Sequence, residues 1–308
     1  MPIFNFGSTN IDIIFKVDHI VQPGETIGSA SLKRSTGGKG ANQSVGACYA
    51  GGEKVYHVGK IGPDGDFIRS ILQEKGVDTT FLREGETPTG QALIQVSKEG
   101  QNSIVLYSGG NKEFTEEEVL ETLAHTHTGD WILLQNETNQ LSFIIEQAKK
   151  RDLNICFNPA PFDRSVLDLP LHLLDVLVVN EVEAEGIAHT CDPFKAIDIL
   201  CSLYEDSEII ITLGSHGVMH KKGSGPLVTF GTWDVDVADT TAAGDCFIGC
   251  YIASRAKGIE VGESLYRASA ASSITVMRDG AIPSIPSADE LKLLDSYPFR
   301  QFSLHNQE

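Results

Sequence analysis

Positive charge is scarce in this sequence. Across 308 residues, 24 Lys and Arg face 42 Asp and Glu, a formal net charge of −18 at pH 7. Such an acidic surface repels polyanions, which excludes nucleic acid and anionic membranes as partners. Long apolar runs are lacking as well, since none approaches the ~18 residues that a membrane span needs. The opening residues Met1-Pro2-Ile3-Phe4-Asn5 carry no basic stretch and no small-residue cleavage site, so no secretory leader is expected. Their apolar side chains alternate as a first strand would. The six cysteines, at 48, 156, 191, 201, 246 and 250, include no C-x-x-C pair. Several sit inside apolar runs, as in Asn154-Ile155-Cys156-Phe157, and read as free buried thiols of a reducing, cytoplasmic compartment. The sequons at Asn42 and Asn136 then carry no glycan.

The common nucleotide and hydrolase motifs are also missing. A Walker loop requires G-x-x-x-x-G-K-[ST], but Lys39 is followed by Gly40. The Gly38-Lys39-Gly40 pattern lacks the third glycine of a dinucleotide fingerprint. There is no G-x-S-x-G elbow and no H-E-x-x-H. His125 and His127 have no third ligand nearby in sequence and read as a solvated loop rather than a metal pair. A dehydrogenase, a hydrolase and a zinc enzyme thus lose their signatures.

What is present is alternation. Short β-rich runs (Val55–Ile61, Trp131–Leu134, Ile155–Asn158, Val176–Val179, Ile209–Leu213) are separated by amphipathic stretches such as Phe67–Lys75, Leu141–Arg151 and Pro193–Tyr204. This predicts an α/β fold with a mainly parallel central sheet covered on both faces, binding ligands beyond the carboxyl ends of its strands. Two extended regions, about 11–34 and 89–108, break the pattern. Gln91–Ser97 and Ser103–Ser108 predict a hairpin turning at Lys98-Glu99-Gly100. These regions are expected to form a small β lid within one unit spanning 1–308.

Five constellations carry chemistry. Asp239-Thr240-Thr241-Ala242-Ala243-Gly244-Asp245 leads into an apolar helix, so the first N–H groups and the helix dipole can face an anion. Asp245 is placed beside that anion hole to take a proton from an attacking hydroxyl. Ala242 is expected at φ < 0, as at an ordinary helix start, where alanine costs nothing. Gly37-Gly38-Lys39-Gly40-Ala41-Asn42-Gln43 places a Lys and an Asn as ligand donors ahead of a helix that runs to Gly51-Gly52. Asn10 and Asp12 share one strand face, which suits a polyol, since Asp accepts from two adjacent hydroxyls and Asn both donates and accepts. Asn180-Glu181-Val182-Glu183 follows a buried strand and suits water-mediated Mg²⁺ or, equally, a helix N-cap. Thr212-Leu213-Gly214-Ser215-His216-Gly217 reads as a turn along a nucleotide or as a hairpin into Val218–Lys221.

Together these motifs resemble those of the ribokinase-like carbohydrate kinases along nearly the whole chain. The match runs from Phe6-Gly7-Ser8-Thr9-Asn10-Ile11-Asp12 to Gly280-Ala281-Ile282-Pro283-Ser284, with G-G-K-G-A-N-Q at 37–43 and D-T-T-A-A-G-D at 239–245 as its specific points. The resemblance implies a three-layer α/β/α fold whose β lid makes a homodimer contact. It implies sugar binding by Asn10, Asp12, Gly38, Lys39, Asn42 and Glu137, with Asp245 as base and Ala242, Ala243 and Gly244 as the anion hole. Asn180 would touch phosphates, Glu183 would help hold Mg²⁺ with ATP, and Thr212, Gly214, Ser215 and Gly217 would line the nucleotide pocket. Activation by K⁺ is implied at Asp239, Thr241, Thr275, Arg278, Gly280 and Ser284. The expected reaction moves the γ-phosphoryl group of ATP to the primary hydroxyl of a pentose, D-ribose foremost. Deoxyribose, another sugar or a nucleoside remains an alternative acceptor. A silent sugar sensor is the alternative of another class, although a sensor has no use for Asp245.

Overall fold

The computed structural model describes residues 1–304. In chain order the strands are β1 (Ile3–Phe6), β2 (Asn10–Lys16), β3 (Ser31–Gly37), β4 (Val55–Ile61), β5 (Leu82–Glu84), β6 (Gly90–Val96), β7 (Asn102–Tyr107), β8 (Trp131–Gln135), β9 (Asn154–Asn158), β10 (Val176–Asn180), β11 (Glu208–Thr212), β12 (Val218–Lys222), β13 (Val228–Phe230), β14 (Thr232–Trp233) and β15 (Phe299–Arg300). The α-helices are α1 (Lys39–Val45), α2 (Asp66–Glu74), α3 (Glu116–Leu123), α4 (Leu141–Lys149), α5 (Glu181–Ala188), α6 (Pro193–Leu203), α7 (Ala243–Ala256) and α8 (Val261–Thr275). Nine strands form one sheet in the order β13-β12-β11-β10-β9-β8-β1-β4-β5. From β11 to β5 all neighbours are parallel, and β12 and β13 add an antiparallel edge.

Strands buried on both faces need apolar side chains at odd and even positions alike, which explains unbroken runs such as Val176–Val179. Val176 and Val178 pack with α1, α2, α7 and α8 on one face, while Leu177 and Val179 pack with α3 to α6 on the other. The strand boundaries expected from sequence hold to within about a residue. The extended regions form a separate four-stranded sheet, β3-β2-β6-β7, with the turn between β6 and β7 closed by a Gly100 N–H to Ser97 carbonyl bond of 3.0 Å. One helix differs from expectation: α1 ends at Val45 and continues as a π-helical turn, Gly46–Ala50. No helix among the described residues is long and apolar enough to cross a membrane. Asn42 is buried in α1, a position no glycan could reach. His125 packs against the Phe81 ring, with centroids 5.2 Å apart, while the His127 side chain is exposed.

Helix α7 carries Asp245 at its start, and a polar cluster fixes its far half to the sheet. Glu208 at the head of β11 takes Arg255 Nη2–H at 2.7 Å and the Tyr251 hydroxyl at 2.9 Å, with His220 Nε2 at 3.4 Å. Burial alone would raise the Glu208 carboxyl, but hydrogen bonds from His220 and Arg255, the Arg255 charge and the Tyr251 hydroxyl bring it down to about 2. A depressed carboxyl stabilises the fold above its unfolded value and ceases to do so as pH falls toward its folded value. The expected contribution at neutral pH is about 3 kcal/mol. Glu208→Gln should therefore flatten the loss of stability between pH 4.5 and about 2, read from denaturant unfolding at a series of pH values. An acid limb identical to that of the wild type would contradict this role.

Candidate active site

The carboxyl ends of the strands are where the apolar runs stop and polar side chains begin. Register aligns Gln135 of β8 with Asn158 of β9, and Asn180 of β10 with Thr212 of β11. A parallel sheet exposes its ligand-binding edge there. Beside it, α1 and α7 meet without bulk between them. A Cβ on Gly249 would lie 2.4 Å from the Gln43 carbonyl and 2.5 Å from the Ala47 nitrogen. Only glycine permits such an approach.

That approach brings two amides onto Asp245. Asn42 Nδ2–H donates to Oδ2 at 2.9 Å, and Gln43 Nε2–H donates to Oδ1 at 3.0 Å. Gln43 is oriented in turn, because its Oε1 accepts from Gln135 Nε2 at 2.8 Å. Gln135 also donates to Asn5 Oδ1 at 2.9 Å, and Asn5 donates to the Gly40 carbonyl at 2.7 Å. On the other side Gln43 Nε2–H reaches Asn158 Oδ1 at 3.2 Å, and Asn158 donates to Glu183 at 3.3 Å. Asn5, Gln43, Gln135 and Asn158 are all buried. Each amide's orientation is thus dictated by its neighbour, so the Asp245 carboxylate is held at both oxygens by a chain of buried carboxamides.

At the start of α7, Ala243 N–H makes a long 3.3 Å bond to the Thr240 carbonyl. Among the described residues, the N–H groups of Gly244 and Asp245 have no acceptor. They are donors left open for an anion. The expectation for Ala242 is corrected here: its φ is +61°, in the left-handed region. An L-residue with a Cβ pays roughly 1–2 kcal/mol in that region. The reversal into α7 demands it, because the chain must turn sharply between the Asp239 loop and the first helical residue.

The small sheet supplies the other wall. Asp12 is buried and, among the described residues, its carboxylate has no hydrogen-bond partner. Burial first, and then Glu137, push its carboxyl up to about 7 against the pull of Lys39. Burial would depress the Lys39 ammonium, but Asp245, Glu137, Glu183 and Asp12 raise it, so it remains a cation among four carboxylates. Glu137 accepts from the Ser8 hydroxyl and from Lys39 N–H at 3.1 Å. Asn10 Oδ1 accepts from Asn111 Nδ2 at 2.8 Å, which orients its amide.

Two cavities meet at this point. The smaller, about 220 Å³, is lined by Lys39, Asn158, Glu183, Ala242 and Asp245 among others. The larger, about 420 Å³, is lined by Gly214, Ser215, Gly217, Trp233, Val235 and Phe247 among others. Asn180, Thr212 and Gly244 border both. Asn180 is also the N-cap of α5, where its Oδ1 takes Glu183 N–H at 2.9 Å. The 212–217 segment is also a β11–β12 hairpin. In both places the structural and the ligand-facing readings coexist.

A family model described as pfkB family carbohydrate kinase matches residues 3–288. The chain belongs to the pfkB family of carbohydrate kinases. It is similar to a ribokinase of Haemophilus influenzae, 35% identical over 295 residues, covering 92% of this chain and 95% of that protein. A ribokinase of Staphylococcus aureus is 34% identical over 305 residues, covering 92% and 96%. Among solved structures, a ribokinase from Cryptococcus neoformans in complex with ADP superposes with a TM-score of 0.84 at 31% identity, covering 95% of this chain and 98% of that one. Arabidopsis thaliana ribokinase complexed with ribose and ATP gives a TM-score of 0.86 at 26% identity, covering 96% and 99%.

In this carbohydrate kinase the residues expected from sequence fall into three groups. Lys39, Glu183, Asn180, Thr212, Gly244, Ala242 and Asp245 line the smaller cavity, with Asn42 holding Asp245 and with Asp12 and Glu137 acting on Lys39, and Ala243, Gly214, Ser215 and Gly217 border the larger cavity. Gly38 caps α1, next to Lys39. The proposed cation residues form a separate loop cluster. Asp239 accepts from Thr241 N–H at 2.8 Å and from Gly280 N–H at 2.9 Å. Arg278 N–H bonds the Thr275 carbonyl, and the Ser284 hydroxyl bonds the Ala281 carbonyl. Gln43, Gln135, Asn158 and Asn5 were not singled out by sequence. Their only trace is a polar residue inside the glycine motif or closing an apolar strand run.

The raised Asp12 carboxyl makes a signed prediction. A folded-state value above the unfolded one means that stability falls as pH rises from 3.8 to about 7. Asp12→Asn should remove that fall and gain at least about 1 kcal/mol over wild type at pH 8. The same variant should raise the sugar KM at least about tenfold, since a carboxylate acceptor is lost. Parallel unfolding profiles for variant and wild type would refute the assignment.

Proposed function

We propose that the chain transfers the γ-phosphoryl group of ATP to the primary hydroxyl of D-ribose. The observation that carries this reading is Asp245, held at both oxygens in the wall of a cavity that opens past Gly244 into a nucleotide-sized one. The sugar sits beside Asp245, against Asp12, Asn10, Lys39, Asn42 and Glu137, and the smaller cavity lies between it and the larger one. Asp245 takes the proton of its primary hydroxyl as that oxygen attacks the γ-phosphorus in line, and ADP leaves along the larger cavity. The open N–H groups of Gly244 and Asp245 and the Lys39 ammonium stabilise the charge on the transferring group. The choice of ribose follows the named activity of the similar proteins.

Mg²⁺ fits as a companion of the nucleotide rather than as a caged ion. Among the described residues no cluster of three His, Cys, Asp or Glu side chains is available to hold a metal. Glu183, whose carboxyl burial raises, already accepts from Asn180 and Asn158 and would reach Mg²⁺ through water. When bound, the ion neutralises phosphate charge. K⁺ fits the second cluster: among the described residues the carbonyls of Asp239, Arg278, Gly280 and Ser284 accept no hydrogen bond. A cation there would steady the loop that leads into α7.

The small sheet serves as lid and as the surface of a homodimer. Its support is a set of exposed apolar side chains, Leu32, Leu93, Val105 and Tyr107 on the face turned away from Asp12 and Ile104 and Leu106 on the other. Buried free thiols at Cys156, Cys201, Cys246 and Cys250 suit a cytoplasmic setting.

The test is ADP release from Mg-ATP with a panel of pentoses, hexoses and nucleosides, with and without K⁺. D-ribose should give the highest kcat/KM, and K⁺ should raise it. Asp245→Asn should lower kcat by at least about 10²-fold while nucleotide affinity is retained. A variant keeping a third of the wild-type rate would remove Asp245 from the role of base, and silence with every acceptor would favour a sugar sensor.

A further inference from the structure

The family match ends at residue 288, yet the chain does not leave the fold there. Glu290 closes a capping box with Ser287 and pairs with Arg278 at 2.6 Å, and Leu294 is buried beside Trp233 and Ile274. The chain then returns along the nucleotide cavity. Thr232 pairs with Arg300, and Trp233 with Phe299, in the antiparallel β14–β15 ribbon. The Phe299 ring centroid lies 5.1 Å from that of Trp233 and 5.2 Å from that of Phe230. A Cβ on Gly231 would sit 2.0 Å from the Arg300 carbonyl, so the tail crosses at a point only glycine allows. Beyond the ribbon, the Ser303 carbonyl lies 3.1 Å from His216 Nδ1, which ties the tail to the turn holding Gly214 and Ser215.

Both attachment points, β14 and the 214–216 turn, are walls of the larger cavity, and Arg300 lines it as well. Arg300 is the one Lys or Arg among the described lining residues, against Glu181 and Asp234. Its Nη2 is 2.5 Å from Asp234 Oδ1. In a chain of net charge −18, an acidic residue beside an anionic ligand is a liability unless it is neutralised.

We propose that the C-terminal segment 298–303 is the outer wall of the nucleotide site, and that Arg300 sets affinity for the anionic nucleoside di- or triphosphate by offsetting Asp234 and adding a cation to the cavity. The inference rests on the kinase reading of that cavity. It makes Arg300 a binding residue supplied by a segment beyond the family match. It also joins the tail to the same turn that carries Gly214 and Ser215, so that nucleotide and tail hold each other.

The test is calorimetric titration of the full chain with Mg-ADP, together with the KM for ATP and for sugar. Arg300→Ala should weaken ADP binding and raise the ATP KM by roughly fivefold or more, while the sugar KM stays within about twofold. Arg300→Lys should retain most of the affinity, and Arg300→Glu should bind more weakly than Arg300→Ala. Wild-type ADP affinity in Arg300→Ala would overturn the proposal, as would equal losses in the Lys and Ala variants. Equal rises in the sugar and ATP KM would also overturn it, since they would mark a general structural effect. A wild-type chain that binds no ADP would instead overturn the kinase reading on which the proposal rests.

Discussion

The close approach of α1 and α7 is the constraint from which the rest of the site follows. Two helices packed through ordinary side chains keep their axes about 8–10 Å apart, and a Cβ at their crossing would push α1 and α7 from the positions they hold. Gly249 removes the obstacle where the backbone of α7 meets that of α1 and the turn after it. The approach lets Asn42 and Gln43 reach Asp245. It also buries the amides behind them, and burial obliges each to find a partner. The resulting chain through Gln135, Asn5 and Asn158 ends in the sheet itself. Asp245 is therefore positioned by the parallel strands, with α7 clamped at its other end by Glu208, Tyr251 and Arg255.

Electrostatics at the site runs against the charge of the whole molecule. The ligands expected here are an anion and a polyol, and the chain is strongly acidic. Positive potential is accordingly local: one ammonium at Lys39, a helix N-terminus with open N–H groups, and a guanidinium brought in by the tail. Burial first, and then repulsion from Glu137, shows in Asp12, pushed up to about 7. Stability is given up at this position because a site that binds hydroxyls must keep unpartnered acceptors ready for them.

Most of the fold was legible in sequence, since unbroken apolar runs and helical stripes are local signals. The boundaries of β4, α4 and α6 follow directly from them, and so does the β6–β7 hairpin. The two glycine-bearing motifs marked the site because glycine next to Lys, Asn or Asp before a helix has few purely structural uses. Other features were not legible, each for a physical reason. The positive φ of Ala242 reflects a chain reversal set by the packing of α7, and alanine gives no hint of it. The roles of Gln135 and Asn158 depend on strand register between segments far apart in sequence. The β14–β15 ribbon is two residues long on each side, too short for any period to show. The π-helical turn after α1 likewise arises where that segment packs against α7.

The central claim is that Asp245 acts as a base for a single in-line transfer and never carries the phosphoryl group itself. The most direct measurement is the stereochemical course with ATP made chiral at the γ-phosphorus by oxygen isotopes. A carboxylate held at both oxygens by Asn42 and Gln43 is fixed to accept a proton, and one displacement between bound partners inverts the phosphorus. Inversion in the sugar phosphate is the predicted result. Retention would require two displacements through a phospho-enzyme, and it would contradict the account.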